Sequence, residues 1–192
     1  MRRSVRLWLV FSAAGASLLG PVWSSALPRD QTGLEQFLAG VKTFAKLRDT
    51  LRAEVPPLHG KDQPEQIQKH RQFLAERIQE ARKDAKAGDI FTEDAQKEFR
   101  IIMQKAFSGK HARSTSRTIA QGNPVDLHLQ INQPYPEQVP VTTMPVGLLQ
   151  RFPKLPKGLE YRIVGNDLIL LDLESRLVID IFRGALPDLP HS

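Results

Sequence analysis

The sequence predicts an α+β fold, in which three amphipathic helices are followed by a Pro-rich segment and a small antiparallel β-sheet. Two observations lead to this prediction. In the first half of the chain, apolar residues recur every three or four positions, which is the spacing of one helix face. Near the C-terminus, short apolar runs alternate with turn-forming residues at hairpin spacing, which is typical of a three-stranded meander.

The first helix is predicted over residues 33–55. Its apolar stripe recurs at alternating spacings of three and four, and Arg48 is the one residue that breaks it. Pro56 and Pro57 follow, and proline cannot continue a helix because it lacks the amide donor and its ring clashes with the preceding turn. We therefore expect the helix to end before this pair.

The second and third helices are separated by a glycine. Proline suits the first position of a helix, so the second helix is predicted to begin at Pro64 and to run to about Ala87, with Gly88 as its C-terminal cap. The third helix is predicted from Thr92 to Phe107. Thr92 is expected to cap it, because a threonine hydroxyl accepts a hydrogen bond from the free amides of the first turn.

The middle of the chain changes character at residue 125. Apolar and polar residues alternate over 125–132, which predicts a half-buried strand. Seven of the 14 prolines then fall between Pro124 and Pro156. Because proline has no backbone donor, this stretch is expected to be an extended linker with at most an edge strand, or a helical turn over 146–150.

Three strands are predicted at the end of the chain, over 159–164, 168–172 and 177–182. The middle strand is apolar on both sides, so both faces of the sheet should be covered. The helices can cover one face, and either the Pro-rich segment or another subunit must cover the second. We predict a partner surface on this second face, formed by Val164, Ile169, Leu171, Val178 and Phe182.

The first 26 residues have the three parts of a secretory signal. Arg2, Arg3 and Arg6 form a basic start, residues 7–19 are apolar, and small residues precede a cleavage site expected after about Ala26. The apolar stretch is shorter than the roughly 20 residues that span a bilayer. We expect a periplasmic or extracellular mature protein without a transmembrane span. Its expected parts are a helical region over 27–109, a polar basic loop over 110–124, a Pro-rich and β-meander region over 125–186, and a tail over 187–192.

The charge of the mature protein is mild. The whole chain carries +6, but three of these charges are the arginines of the leader, which leaves +3 and predicts no nucleic-acid partner. A local basic patch is still predicted at Lys105, Lys110, Arg113 and Arg117, suited to an anionic lipid, a glycan or an acidic protein. The alternative is a solvated helix end and basic loop, because the helix dipole alone favours cations there.

No catalytic, metal-binding or cofactor-binding residue is predicted. The chain has no cysteine, which excludes disulfides, thiol catalysis and Cys-based metal sites. None of the five histidines forms a chelating pair with another; they are His59, His70, His111, His128 and His191. The acidic residues of the terminal strands occupy turns and strand ends, where such residues serve structure; they are Asp167, Asp172, Glu174 and Asp180. There is also no nucleophile elbow, phosphate loop or dinucleotide fingerprint.

Three features together resemble a group of exported bacterial proteins of unknown function. They are the run Gly88-Asp89-Ile90-Phe91-Thr92 before a helix, the Pro-rich middle, and the ending that runs from Leu159 through Asp180. This resemblance covers most of the mature chain and implies an envelope protein without assigned activity. The last 25 residues or so are also similar to the terminal meander of periplasmic nickel/cobalt-homeostasis proteins, but they carry no metal ligands here.

The leading expectation is an exported, non-enzymatic binding or envelope-accessory protein. It would work through the second face of the sheet, the basic patch, or both. Its expected partners are an envelope protein, a second copy of itself through that face, or an anionic lipid or glycan. The alternatives are an envelope stress or metal-homeostasis factor, which the terminal meander suggests, and a hydrolase whose site forms only in the folded chain.

Cleavage of the leader should be visible in the mass of the natural protein. We expect protein isolated from its host to begin at Leu27 and to appear in the envelope or secreted fraction, because Ser24 and Ala26 are small residues at positions −3 and −1 of the cleavage site. Intact-mass spectrometry of each cell fraction measures this. Full-length protein that begins at Met1 inside the cytoplasm would contradict the expectation.

Overall fold

The computed structural model describes residues 32–59, 63–108, 119, 127–137, 139 and 144–186. The helices are α1 (Gly33–Arg52), α2 (Pro64–Ala81), α3 (Glu93–Ser108) and the one-turn α4 (Val146–Leu149). The strands are β1 (Leu159–Val164), β2 (Asp167–Asp172) and β3 (Val178–Phe182), which form an antiparallel sheet in the order β1-β2-β3. The predicted α+β fold with a C-terminal meander is confirmed. No helix in the described ranges combines the length and apolar character needed to cross a bilayer.

The predicted helices are present, and side chains cap the first turns of α1 and α3, of which only the α3 cap was predicted. In α1, Thr32 and Glu35 form a capping box, in which each side chain accepts a hydrogen bond from the backbone amide of the other residue. In α3, the Thr92 hydroxyl accepts a hydrogen bond from the Ala95 amide at 3.3 Å. These side chains satisfy amides that have no partner within the helix.

The main core lies between the helices and one face of the sheet. An aromatic cluster forms its centre, in which ring centroids lie about 5 to 6 Å apart; its members are Phe37, Phe91, Phe99, Phe152 and Tyr161. Such ring pairs contribute about 0.5–1.5 kcal/mol beyond the area they bury. Because Tyr161 belongs to β1, the cluster fixes this strand against α1 and α3.

The second helix ends at Ala81, short of the predicted Ala87. Arg82 leaves the helical conformation, and its guanidinium donates a hydrogen bond to the Ile179 carbonyl at 3.0 Å. Gly88 therefore caps no helix. Its φ of 91° instead turns the loop after α2 so that the Gly88 amide donates to Asp180 at 2.7 Å.

A β-bulge in β3 turns Asp180 toward the helices. Leu171 of β2 pairs with Val178, whereas Leu170 pairs with Asp180, so Ile179 is an extra residue in the ladder. The two residues of the bulge lie on the helix-covered side. Asp180 is consequently buried beneath the loop that joins α2 to α3.

The Asp180 carboxylate holds this loop in place. It accepts hydrogen bonds of 2.6 to 2.8 Å from four backbone amides, those of Gly88, Ile90, Phe91 and Ile181. Burial raises the pKa of Asp180, and the four amides oppose that rise because they stabilise the charged form. The Asp180 carboxylate thus supplies these four amides with the hydrogen-bond acceptors that backbone carbonyls supply in a regular helix or turn.

The second face of the sheet is covered by residues 127–137 and 139, the cover segment. Its buried and half-buried apolar side chains pack against all three strands; they are Leu127, Leu129, Ile131, Tyr135 and Val139. The sequence left two possible covers for this face, the Pro-rich segment and another subunit. In the structure, the Pro-rich segment covers it.

The prediction of a strand over 125–132 is wrong for residues 127–132, the described part of this range, because they form no strand. The alternation in burial is nevertheless present, since Leu129 is buried between exposed His128 and Gln130. The segment forms an isolated bridge with the sheet between Pro134 and Leu177. The bridge does not extend into a ladder at this point, because proline has no amide to donate. Alternation therefore predicted which side chains are buried, but not the backbone pairing. The predicted helical turn over 146–150 is present as α4.

Replacement of Asp180 by asparagine should destabilise the fold strongly. The amide side chain would present one acceptor oxygen and an NH₂ group to four N–H donors, so we expect a loss of about 3 kcal/mol in the free energy of unfolding. Urea denaturation followed by circular dichroism measures this. The control is Asp84→Asn, because Asp84 is an exposed residue of the same type and should change stability by less than about 0.5 kcal/mol. Equal stability of the two variants would refute the assigned role.

Candidate functional site: the groove at the edge of the sheet

The strand β1 forms one edge of the sheet. A two-residue turn at 165–166 joins it to β2, so Val164 and Asp167 face each other as a hydrogen-bonded pair. Gly165 has a φ of 58°, the left-handed conformation that glycine adopts without strain. In antiparallel strands, such pairs alternate with pairs whose backbone groups point away from each other.

This alternation decides which groups of β1 face the open edge. The N–H and C=O groups of Tyr161 and Ile163 point away from β2, because these residues occupy the non-bonded pairs. A hydrogen bond of 2.8 Å from the Leu173 amide to the Gly158 carbonyl continues the same alternation. Within the described parts of the chain, no backbone hydrogen bond joins Tyr161 or Ile163 to a further segment.

The opposite edge of the sheet, along β3, is different. The Asn132 amide donates to the Val178 carbonyl at 2.8 Å, and the Val178 amide donates to the Gln133 carbonyl at 3.0 Å. The cover segment therefore occupies the start of this edge. Among the described residues, β1 is therefore the side on which the sheet can be extended, since an unpaired strand edge is a template for another strand.

A groove of about 440 Å³ lies beside the open edge of β1. Its apolar and aromatic walls are Met144, Leu149, Pro153, Leu155, Leu159 and Tyr161, and its polar lining is Lys154, Glu160 and Arg162. Leu149 is 47% exposed, and Val146 on the same turn of α4 is 68% exposed. Exposed apolar side chains beside an unpaired strand form the kind of surface that binds a partner.

The two charged residues that β1 contributes to the groove lie on the cover side of the strand. Glu160 and Arg162 are two residues apart, so they share a face, and their side chains form an ion pair. On the helix side, the Tyr161 hydroxyl donates to the Pro153 carbonyl at 3.0 Å and fixes the groove wall. Burial raises the pKa of Tyr161 above its ordinary value, so the phenol stays protonated and serves as a structural donor.

The partner surface predicted from the sequence is covered by the chain itself. Val164, Ile169, Leu171 and Val178 are buried under the cover segment, whereas Phe182 packs in the main core on the other face. The assignment of Phe182 to the second face was wrong, because the bulge at Ile179 reverses the side on which all later residues of β3 lie. The sequence offers no local signal for such an insertion.

The predicted basic patch is described only in part. Lys105 is exposed in the last turn of α3, where it stands near the negative end of the helix dipole. Lys110, Arg113 and Arg117 lie outside the described residues. The patch stays a prediction.

A buried ion pair connects α1 to the end of β2. Arg48 Nη1 donates to Asp172 Oδ1 at 2.9 Å, and Arg48 Nη2 donates to the Lys157 carbonyl at 3.0 Å. The other oxygen of Asp172 accepts the Ser175 amide and hydroxyl at 2.9 and 2.6 Å. Burial disfavours the charged guanidinium, but the hydrogen bond and the charge of Asp172 outweigh it, and the pKa of Arg48 is raised.

A second polar contact is made by His70, in the first half of α2. His70 Nδ1 is 2.8 Å from the Pro56 carbonyl, and His70 Nε2 is 3.1 Å from the Glu174 carboxylate. Arg52 contacts the other oxygen of Glu174 at 3.4 Å. Both ring nitrogens of His70 are thus engaged in contacts that hold the α1–α2 connection against the β2–β3 turn. Across the described residues, no group of three or more His, Asp or Glu side chains converges as metal ligands would.

Comparison with known proteins adds no relative to this picture. The chain matches no protein-family model, no curated protein and no solved structure.

The sequence carried a partial signal for these features. Arg48 interrupts an apolar helical stripe, and such a break indicates a buried charge whose partner lies elsewhere in the chain. The groove had no such signal, because the alternation of Leu159, Tyr161 and Ile163 identifies the strand but not which of its edges stays unpaired.

Removal of the Arg48 charge should destabilise the fold, because the buried Asp172 carboxylate then lacks its cation. We expect Arg48→Met to lower the free energy of unfolding by about 3–4 kcal/mol, because it leaves a buried carboxylate without its cation. Adding Asp172→Asn should recover part of that loss. The control is Arg52→Met, since Arg52 is 48% exposed and its ion pairs are solvated. Urea unfolding of the wild type, the three single variants and the Arg48→Met/Asp172→Asn double variant gives the coupling free energy between Arg48 and Asp172. Additive losses from the two substitutions would contradict the assigned ion pair.

Proposed function

We propose that this protein is an exported, non-enzymatic binding protein of the bacterial envelope, and that it binds an extended polypeptide along the outer edge of β1. The observation that carries the proposal is the open edge itself. Tyr161 and Ile163 direct their backbone donors and acceptors toward it, and an apolar groove runs beside it. Addition of a strand to a sheet edge is a general mode of peptide recognition.

The two sides of β1 favour a ligand with alternating side chains. On the helix side, a bound strand would place side chains against Met144, Leu149 and Leu155, which are apolar. On the cover side, its side chains would meet the ion pair of Glu160 and Arg162. A strand with apolar residues at every second position and charged residues between them fits both sides, since successive side chains point to opposite faces.

The buried polar groups support binding rather than catalysis. Asp172 and Asp180 are buried and are held by internal hydrogen bonds from Arg48, Ser175 and backbone amides. Tyr161 is buried and kept protonated. These groups stabilise the scaffold that presents the edge, and a catalytic acid or base needs instead to reach a substrate.

Site-directed cross-linking in the host envelope tests the proposal. The chain has no cysteine, so Lys154→Cys provides one unique attachment point for a photoreactive group in the groove. We expect cross-links to polypeptide, and mass spectrometry should place them on an extended segment with alternating apolar residues. Leu149→Glu in the same background should reduce the yield about tenfold, because it puts a charge in the apolar wall.

Lys83→Cys is the matched control for this experiment. Lys83 is 67% exposed and follows α2, which contacts the β3 side of the sheet through Arg82 and Ile179. It should give no such cross-link. If the probe at position 154 captures only lipid or nothing, or if both positions capture the same polypeptides, the proposed function fails.

A further inference from the structure

We infer that the polypeptide bound at the β1 edge is β1 of a second copy of this chain, so that two sheets join into one antiparallel sheet across a twofold axis. This inference rests on the proposed function and names its partner. The residues that carry it are Glu160, Tyr161 and Arg162, in the middle of the strand.

The charges of β1 select one register for such a pair. If Tyr161 of one copy faces Tyr161 of the other, Glu160 of each copy lies opposite Arg162 of the other. The outward backbone groups of the two Tyr161 residues then face each other as a hydrogen-bonded pair, which the alternation within the sheet requires. Opposite charges directly across two strands stabilise the pairing.

The neighbouring registers are opposed by the same charges. A shift of two residues in one direction places Glu160 opposite Glu160, and a shift in the other direction places Arg162 opposite Arg162. Like charges at directly opposed positions destabilise a strand pair. Glu160 and Arg162 therefore make this edge complementary to itself in the register centred on Tyr161.

The apolar residues of α4 lie where a second copy would cover them. Leu149 lines the groove beside β1, and Val146 begins the same one-turn helix. Both side chains are exposed within the chain. A twofold axis at Tyr161 places the two sheets on one plane, so α4 of each copy lies on the same side of the joined sheet. The interface then combines backbone pairing with burial of apolar surface.

The strand also meets the ligand pattern derived for the groove. Its residues alternate between apolar side chains, Leu159, Tyr161 and Ile163, and the charged Glu160 and Arg162. Pairing of identical patches is the usual route to a symmetric dimer. A foreign peptide would need the same alternation but would not be required to place its charges in this order.

The experiment measures the mass of the purified mature protein, residues 27–192, by size-exclusion chromatography with light scattering across a concentration series. We expect wild-type dimers. Glu160→Arg and Arg162→Glu, made separately, should each raise the dissociation constant about 10- to 100-fold, because both cross-strand pairs become repulsive. Leu149→Glu should also weaken the dimer, whereas Leu173→Glu, at a residue 40% exposed in the β2–β3 turn, should not.

Mixing the two charge variants separates a register effect from damage to the fold. In the predicted register, a Glu160→Arg chain and an Arg162→Glu chain oppose each other with opposite charges at both positions. An equimolar mixture should therefore form a heterodimer at concentrations where each variant alone is monomeric. Hydrogen exchange should show the amides of Tyr161 and Ile163 protected in wild-type and mixed dimers and exposed in the monomeric variants.

Four results would overturn the inference, and the last concerns hydrogen exchange. The first three are a wild type that stays monomeric up to roughly 100 μM, charge variants that remain dimeric alone, and a mixture that stays monomeric while the wild type is a dimer. A monomeric wild type that still cross-links from position 154 to another envelope polypeptide would overturn the second copy as partner and leave the proposed function standing. Wild-type dimers with freely exchanging Tyr161 and Ile163 amides would place the interface elsewhere.

Discussion

The buried contact between Arg48 and Asp172 is the constraint on which the arrangement of helices and sheet depends. It joins two residues 124 positions apart, and neither side chain is solvated. A buried charge without its partner is strongly destabilising, so the chain must bring α1 to the end of β2 before either residue is acceptable in the core. The same guanidinium donates to the Lys157 carbonyl, directly before β1. Gly158 follows with a φ of 85°, and a Cβ there would lie 2.7 Å from Arg48 Nη1. The entry of β1 is thereby fixed by the ion pair.

The second buried carboxylate organises the other side of the molecule in a different way. Among the described residues, Asp180 has no cation in hydrogen-bond contact and is held by backbone amides of the α2–α3 loop and of β3. Burial lowers the pKa of the nearby Arg82, while the charge of Asp180 opposes that shift. Arg82 also bonds to Asn132, whose left-handed conformation (φ 57°) starts the contact of the cover segment with β3. One set of contacts thus fixes the α2–α3 loop, the bulge and the cover segment together.

The two edges of the sheet differ because these contacts are asymmetric. The cover segment forms backbone hydrogen bonds with β3 through Asn132 and Gln133. No described residue of the cover segment forms one with the outward backbone groups of Tyr161 and Ile163 on β1. An edge strand of this length is a site for pairing, and proteins that avoid pairing commonly place charged side chains, especially lysine, or proline there. Here β1 has Glu160 and Arg162, one charge of each sign, which favour a specific register instead of preventing contact. The surface of greatest interest is therefore an edge of the sheet and not one of its faces.

The sequence by itself determined the elements and their burial. Helical periodicity located α1 and α3, turn chemistry located the meander, and the apolar middle strand required covers on both faces, since side-chain pattern directly reflects local geometry and burial. Tertiary structure alone decided the early end of α2 at Arg82, the absence of a strand over the described residues 127–132, and the bulge that moves Phe182 to the other face. Each depends on a partner distant in the chain: Ile179 for Arg82, Leu177 for Pro134, and the β2 register for Phe182. The edge of β1, with which no described segment pairs, belongs to this second group, because the pairing of an edge strand is set by how distant segments pack.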